Sequence, residues 1–426
     1  MKKIKLAVIG AGASGLCALK NAVDYGCEVV AFEQSKLVGG LWNYTDLTDK
    51  DEYGLDVHSS MYENLVTNLP IEIMCYPNEP FPKQPESFVS SAEVLNYYIR
   101  YAEKFNLLSR IKFEHHVFRV RPLLNDKWEI IVKNLRNDNF ETHIFDSVLV
   151  CSGHFHTPYI PNQKGQKLFK GKQMHSHTYR SSKIFNNEMT LIVGGNNSAV
   201  DLVIESSKNS KLTIWSHHLN PEPEMTQFEG KIVAKPDILE LTENGVKFID
   251  GTFAECSLII YATGYLYSYP FLSMDSGVLG GDYVKPLWMH CLSINNPSLG
   301  FIGLPNLICP NQMFQLQVEF CLTFMTEKRT LPSKDEMLKE MNLDLQERWD
   351  RGLTFRKGHF LGHKPDAQLD YYNKLSQKAG IIPIMPCIVK IHSHAHQSRM
   401  KHFTSYRNVK YKIVSEDDFE IEYLEK

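Results

Sequence analysis

Two glycine-rich turns, each set between an apolar strand and a helix, constrain this 426-residue chain more than any other feature. The first is Gly10-Ala11-Gly12-Ala13-Ser14-Gly15, which follows the apolar run 4–9. It leads into helical periodicity over 16–25 and a returning strand over 29–33. The second is Gly194-Gly195-Asn196-Asn197-Ser198-Ala199, entered from 191–193 and followed by a returning strand at 212–215. Two such βαβ units, far apart in sequence, predict an α/β fold with two Rossmann-like dinucleotide-binding domains.

The first turn fits GxGxxG, in which glycines let the backbone approach a pyrophosphate held at a helix N-terminus. Glu33 closes the unit at the ribose position. A carboxylate there accepts ribose hydroxyls and rejects a 2′-phosphate, so FAD or NAD fits better than NADP. The second turn departs from the pattern at Asn196, whose side chain is expected to crowd a pyrophosphate, although Asn tolerates left-handed backbone. Alanine is allowed at its last position, Ala199. The returning strand ends Trp215-Ser216-His217-His218 with no acid, which favours NADPH over NADH. Gly39-Gly40-Leu41-Trp42 reads by itself as a flexible loop with a buried tryptophan.

Bulk composition excludes several classes of partner. With 46 basic against 49 acidic residues, no overall field recruits nucleic acid or an anionic membrane. No apolar run approaches the ~20 residues of a spanning helix, so no membrane anchor is expected. The nine cysteines stand singly with no CxxC pair, which points to a reduced, cytoplasmic setting. Cys151 ends an apolar strand at 147–150 and reads as structural. His175 and His177 alternate on what reads as an extended segment, so one of them is expected to point inward. His392, His394 and His396 would line one strand face, but with no acid or cysteine cluster they read as solvated loop, and no metal is expected. Ser90 with Glu93, and Ser333 with Glu336, predict capping boxes; Asp366 predicts a helix N-cap and Gly380 its end.

Between the two units runs Phe169-Lys170-Gly171-Lys172-Gln173-Met174-His175-Ser176-His177-Thr178-Tyr179-Arg180. This segment resembles the FxGxxxHxxxY(K/R) signature of the flavin-containing monooxygenases, with Phe169, Gly171, His175, Tyr179 and Arg180 in the fixed places. Val57 to Tyr62, Thr67-Asn68-Leu69-Pro70, Tyr76 to Pro82 and Tyr261-Ala262-Thr263-Gly264-Tyr265 are similar to further motifs of that family. The likeness spans most of residues 1–320 and is closest to the shorter insect and microbial members, including alkaloid N-oxygenases.

The resemblance implies a nicotinamide domain (169–283) inserted into an FAD domain (1–168, resuming at 284–426 with C-terminal helices). It implies that Gly10 to Gly15, Glu33, Gly40, Leu41, Trp42, His58 and Val117 surround FAD, with Gln317 near the flavin. Thr67 and Asn68 would lie at the flavin and nicotinamide, Asn68 as the catalytic hydrogen-bonding residue. Gly194, Asn197, Ser198, Ala199, Asp201 and Arg180 would line the NADPH site.

The chemistry is then oxygenation of a soft nucleophile, a tertiary amine or thioether, at the expense of NADPH and molecular oxygen. Reduced flavin adds dioxygen at C4a, and the hydroperoxide so formed must be sheltered from water. A nitrogen or sulfur lone pair attacks its distal oxygen without enzymic deprotonation, so no catalytic triad or paired carboxylates are required. Two alternatives stay open: a Baeyer-Villiger monooxygenase, and a flavin reductase that inserts no oxygen. A homo-oligomer is an open expectation.

Overall fold

The strand-turn-helix-strand pattern around each glycine turn is what the computed structural model builds; it describes residues 3–219, 222–228 and 231–424. In the first unit, Lys5–Ile9 lies between Glu28–Glu33 and Ser147–Val150, parallel to both. Ile111–Phe113 and Leu299–Phe301 extend the sheet in parallel at either side. Leu292–Ser293 and Leu287–Trp288 complete seven strands in antiparallel fashion. Both faces of the central strand are covered, and Leu6, Ala7 and Val8 are fully buried, which is why that run is continuously apolar rather than alternating.

The second sheet has five parallel strands, in the order Ile232–Lys235, Leu212–Ser216, Met189–Val193, Leu258–Tyr261, Lys172–His175. All five come from residues 172–261, whereas the seven-stranded sheet takes strands from both sides of that span. The chain therefore leaves the first sheet after Val150, builds the second, and returns at Leu287. The outgoing and returning connections pair with each other at Thr157–Pro158 and Tyr265–Leu266.

Local signals fared unevenly. Ser333 and Glu336 form the complete reciprocal capping box. Ser90 accepts the Glu93 N–H, but the Glu93 carboxylate accepts from the Gln84 amide instead of closing the box. Asp366 sits at the predicted helix start in the left-handed region (φ 57°) and caps nothing with its side chain; Gly380 ends that helix with φ 65°. The histidines at 392, 394 and 396 are not in a loop. They lie on the helix Pro386–Lys401, whose apolar positions Ile388, Val389, Ile391 and Ala395 are buried, so helical packing overrides the polar local composition. His392 is buried there, and among the described residues no group of His, Cys, Asp or Glu has the arrangement of a metal site. After this helix the chain crosses back over both units and ends in the hairpin Val409–Ile413 with Phe419–Tyr423. No described helix is long and apolar enough to cross a membrane.

Candidate functional site

At the first turn, Gly10 adopts φ 97° and donates its N–H to the Phe32 carbonyl at 2.8 Å. A side chain on Gly15 would bring Cβ to 2.0 Å from the Gly10 carbonyl, so only glycine lets the helix pack this close to the strand. Gly12 is extended (φ −75°, ψ −167°) and is overlaid by the 39–40 loop, since a Cβ there would stand 3.4 Å from Gly40 Cα. That loop is fastened by Gly39 N–H to the Ala11 carbonyl at 3.1 Å. The helix Ala13–Asp24 has neither a side-chain cap nor an acid in its first turn, unlike the helix beginning at Lys334. Its leading N–H groups are thus left for an anion. Glu33, buried, accepts Ala11 N–H at 2.7 Å and Ser35 N–H at 2.8 Å. Each carboxylate oxygen keeps a lone pair free for a hydroxyl. Ser152 Oγ, buried beside Gly10, has no protein partner among the described residues.

The remaining residues of the predicted FAD site gather around this cradle to different degrees. Leu41 accepts Ser59 Oγ–H on its carbonyl at 2.7 Å. Trp42 is half-buried, not buried as its loop suggested, and tilts against Tyr98 at 6.4 Å between ring centres. His58 Nδ1 lies 3.3 Å from the Gln34 amide, and Val117 is buried at a bulge in the strand His115–Pro122. Gln317 is fully buried with both ends of its amide occupied: it accepts Gly303 N–H at 2.8 Å and donates to Tyr371 Oη at 2.7 Å.

The second cradle repeats the first in its framework. Gly194 (φ 127°) donates to the Ser216 carbonyl at 2.9 Å, and a Cβ on it would meet the Ala262 carbonyl at 2.4 Å. Asn196 takes φ −89° and ψ −175°, nearly the conformation of Gly12. Its departure from glycine therefore involves no left-handed backbone, and its exposed side chain does not fill the turn. Asn197 and Ser198 are exposed, Ala199 is fully buried, and the helix Asn197–Asn209 again has no side-chain cap and no acid in its first turn. At the ribose position, one residue past the strand-end carbonyl that accepts the glycine N–H, the counterpart of Glu33 is His217, which is buried, accepts Leu219 N–H on Nδ1 at 3.2 Å and leaves Nε2 without a partner among the described residues.

The turn at residues 67–68 is linked to the helix of the second cradle through Arg407, which bonds the Thr67 carbonyl and Asp201. Thr67 is buried and tied to Val89 twice: its N–H donates to the Val89 carbonyl at 2.9 Å, and its hydroxyl accepts Val89 N–H at 3.1 Å. Asn68 is half-buried, and among the described residues its carboxamide has no hydrogen-bond partner.

The signature segment proves to be packing. Gly171 must be small because a Cβ would strike the Phe169 ring and the Ser257 carbonyl at 2.5 Å each. His175 Nδ1 accepts His177 N–H at 3.0 Å and its Nε2 faces the Gly264 carbonyl at 3.0 Å; burial holds its pKa down at about 4. Residues 176–178 form a tight turn rather than continuing the strand, so His175 and His177 are both buried instead of alternating. Tyr179 hydrogen-bonds Glu205.

Two residues expected in the nicotinamide site are engaged elsewhere. Arg180 is buried and directs all five N–H groups at the backbone carbonyls of Leu47, Ser59, His177 and Tyr179, leaving none for a phosphate. Asp201 accepts Tyr62 Oη–H at 2.7 Å and pairs with Arg407 at 3.1 Å. Arg407 was not anticipated: it lies in a polar C-terminal stretch with no periodic signal.

Among the described residues, the cysteine and histidine that follow the strand Ser147–Val150 do not form a nucleophile-base pair. Cys151 is buried and its thiol is pushed up by that burial. His154, also desolvated, is held down at about 4. Two uncapped helix ends, each following a glycine turn at the end of a parallel strand, define a protein of the two-dinucleotide α/β class.

Comparison with known proteins agrees and narrows this. The family described as flavin-binding monooxygenase-like matches residues 2–220 and 216–416. Senecionine N-oxygenase of Tyria jacobaeae is 30% identical over 427 residues, covering 98% of this chain and 92% of the relative. Flavin-containing monooxygenase FMO GS-OX1 of Arabidopsis thaliana is 32% identical over 430 residues, covering 95% and 91%. Among solved structures, S-allyl-L-cysteine S-oxygenase from Allium sativum superposes with a TM-score of 0.88 at 29% identity, covering 96% of this chain and 95% of that one. The chain belongs to the flavin-binding monooxygenase-like family.

Proposed function

We propose that the chain uses NADPH and molecular oxygen to oxygenate a soft nitrogen or sulfur lone pair, converting a tertiary amine to its N-oxide or a thioether to its sulfoxide. The observation that carries this reading is the Asn68 carboxamide, free of protein partners on a turn whose backbone is fixed and linked to the second of two cradles that both fit a dinucleotide. FAD and NADPH are the cofactors. When bound, FAD would supply the redox chemistry that activates dioxygen, with NADPH as the source of electrons.

The protein's own share is binding and shelter. Backbone N–H groups of the helix starting at Ala13 hold one pyrophosphate, Glu33 takes ribose hydroxyls, and the 39–40 loop closes over the turn. The helix starting at Asn197 holds the other pyrophosphate through Gly194, Asn197, Ser198 and Ala199. Asn68 orients the reacting groups with directional hydrogen bonds and moves no proton. Arg180 acts as scaffold, tying residues 47 and 59 of the first unit to the signature segment. Residues 169–283 serve as the nicotinamide unit between the two parts of the flavin unit. Relatives named for N-oxygenation and S-oxygenation bracket the substrate class.

The test is oxygenation under 18O2 of a tertiary amine and a thioether, with NADPH or NADH as donor. Product heavier by one 18O atom, formed with NADPH in preference to NADH, is the expected result. Flavin that stays oxidised under anaerobic NADPH and NADH would refute the proposal.

A further inference from the structure

One segment that neither sheet explains is the stretch 402–407, between the helix Pro386–Lys401 and the C-terminal hairpin. It adds no strand to either sheet, yet its side chains reach the core of the second unit and the turn at residues 66–67. At one end Phe403, 1% exposed, is driven into the core of the second unit, edge-on to Trp215 at 5.7 Å and 84° and beside Phe228 at 6.1 Å. Trp215 in turn donates its indole N–H to the Gly194 carbonyl at 2.7 Å, so the ring that Phe403 supports holds the second glycine turn.

At the other end the Arg407 guanidinium donates Nε–H to the Thr67 carbonyl at 2.9 Å and Nη2–H to the Val66 carbonyl at 3.1 Å. The same Nη2 reaches both oxygens of Asp201, at 3.1 and 3.3 Å, on the helix that begins at the second turn. Tyr62 completes the group by donating to Asp201 at 2.7 Å. Two carbonyls and a carboxylate gathered by one planar fork is a geometry that Arg supplies and Lys, a single point of charge, does not.

We infer that residues 402–407 form a strap that sets the spacing between the second cofactor cradle and the turn that carries Asn68, with Phe403 registering the Gly194 turn and Arg407 registering residues 66–67. Both are positioning residues: neither is needed to touch a reacting atom. The spacing matters because transfer from nicotinamide to flavin, and shelter of the reduced flavin afterwards, depend on placement to within about 1 Å. The effect on catalysis rests on the assignment of Asn68 above; the mechanical coupling does not.

The test compares Arg407→Lys, Phe403→Leu, Asp201→Asn and Asn68→Ala with the parent FAD-loaded protein. Two readouts are taken for each: amide hydrogen exchange in peptides spanning 65–68 and 194–199, and oxygenated product formed per NADPH consumed. Arg407→Lys is expected to accelerate exchange at 65–68 while distant strands keep parent rates. Phe403→Leu is expected to do so at 194–199. Product per NADPH should fall on the order of tenfold in both, with peroxide making up the difference, while the rate of flavin reduction changes less. Arg407→Lys combined with Asp201→Asn should cost less than the two effects summed, because they break one network. Parent exchange rates at both turns in the two strap variants would overturn the inference. So would parent coupling in those variants when Asn68→Ala uncouples. If Asn68→Ala itself leaves coupling intact, the role of Asn68 falls and the strap stands or falls on hydrogen exchange alone.

Discussion

The two glycine turns share a framework and differ in what covers them. In each, the first glycine is left-handed, donates to the end of the returning strand, and abuts the carbonyl after a neighbouring parallel strand: Cys151 in one, Ala262 in the other. The first turn is closed by the 39–40 loop, demands Gly15 and carries Glu33. The second is open at Asn196, Asn197 and Ser198, accommodates Ala199, and has no acid. A closed cradle suits a cofactor that stays and an open one suits a cofactor that comes and goes. Backbone angles do not separate the two middle positions, since Gly12 and Asn196 have nearly the same φ and ψ; what differs is the 39–40 loop, whose Gly40 Cα would stand 3.4 Å from a Cβ on Gly12 and leaves little room for a side chain longer than that.

Exchanging the turns should break this comparison most sharply. Gly15→Ala forces Cβ to 2.0 Å from a backbone oxygen. Destabilisation at the upper end of the ~1–3 kcal/mol overpacking range is expected, with loss of FAD, read as flavin absorbance per chain and Tm. The mirror change, Ala199→Gly, should cost only the helix-propensity difference of about 1 kcal/mol, with NADPH binding retained.

Acid should act on both halves alike. His154, after the first sheet's strand, and His175, in the second sheet, both have folded pKa values of about 4 against an ordinary 6.5. Each is neutral in the fold, so below 6.5 the unfolded chain binds the extra proton and stability falls as pH drops from 6.5 toward 4. Up to about 3 kcal/mol per histidine is at stake, given 1.36 kcal/mol per unit. Thermal melts across that window should show the slope, and His175→Gln should make it shallower while His154 keeps its share; an unchanged slope would mean that His175 titrates normally.

A smaller effect separates the ribose positions. Glu33→Gln puts an amide N–H where a carboxylate accepted a backbone N–H, and about 1.5–3 kcal/mol of FAD affinity should go, measured by titrating apoprotein. The smallest effect is expected at Asn196→Gly, because that side chain is exposed and its backbone unstrained. Melting should shift by no more than about 1 kcal/mol, and KM for NADPH should move by less than about threefold. A tenfold drop in KM would show that Asn196 crowds the pyrophosphate after all.

How much was legible follows from which interactions are local. Both βαβ units could be read because apolar runs and glycine turns are short-range signals with a steric cause. The complete capping box at Ser333 was equally readable, whereas Glu93 was drawn to Gln84 and the box at Ser90 stayed half-made. The histidines of 392–396 were misjudged because burial of Ile388, Ile391 and Ala395 against distant elements, not local polarity, made that stretch helical. Arg180 carried the right residue type for a phosphate but spends its donors on carbonyls more than a hundred residues away, at Leu47 and Ser59.

From the sequence alone came the class of fold, the two glycine turns with their flanking strands and helices, and the family, because glycine, strand and helix signals act over a few residues through sterics. Only the tertiary structure decided that Asn68 is left unengaged while Thr67 is held from two sides, and that Arg407, 340 positions away, does part of the holding. Hydrogen bonds between such remote groups exist only after the chain has closed on itself, and no local pattern encodes them.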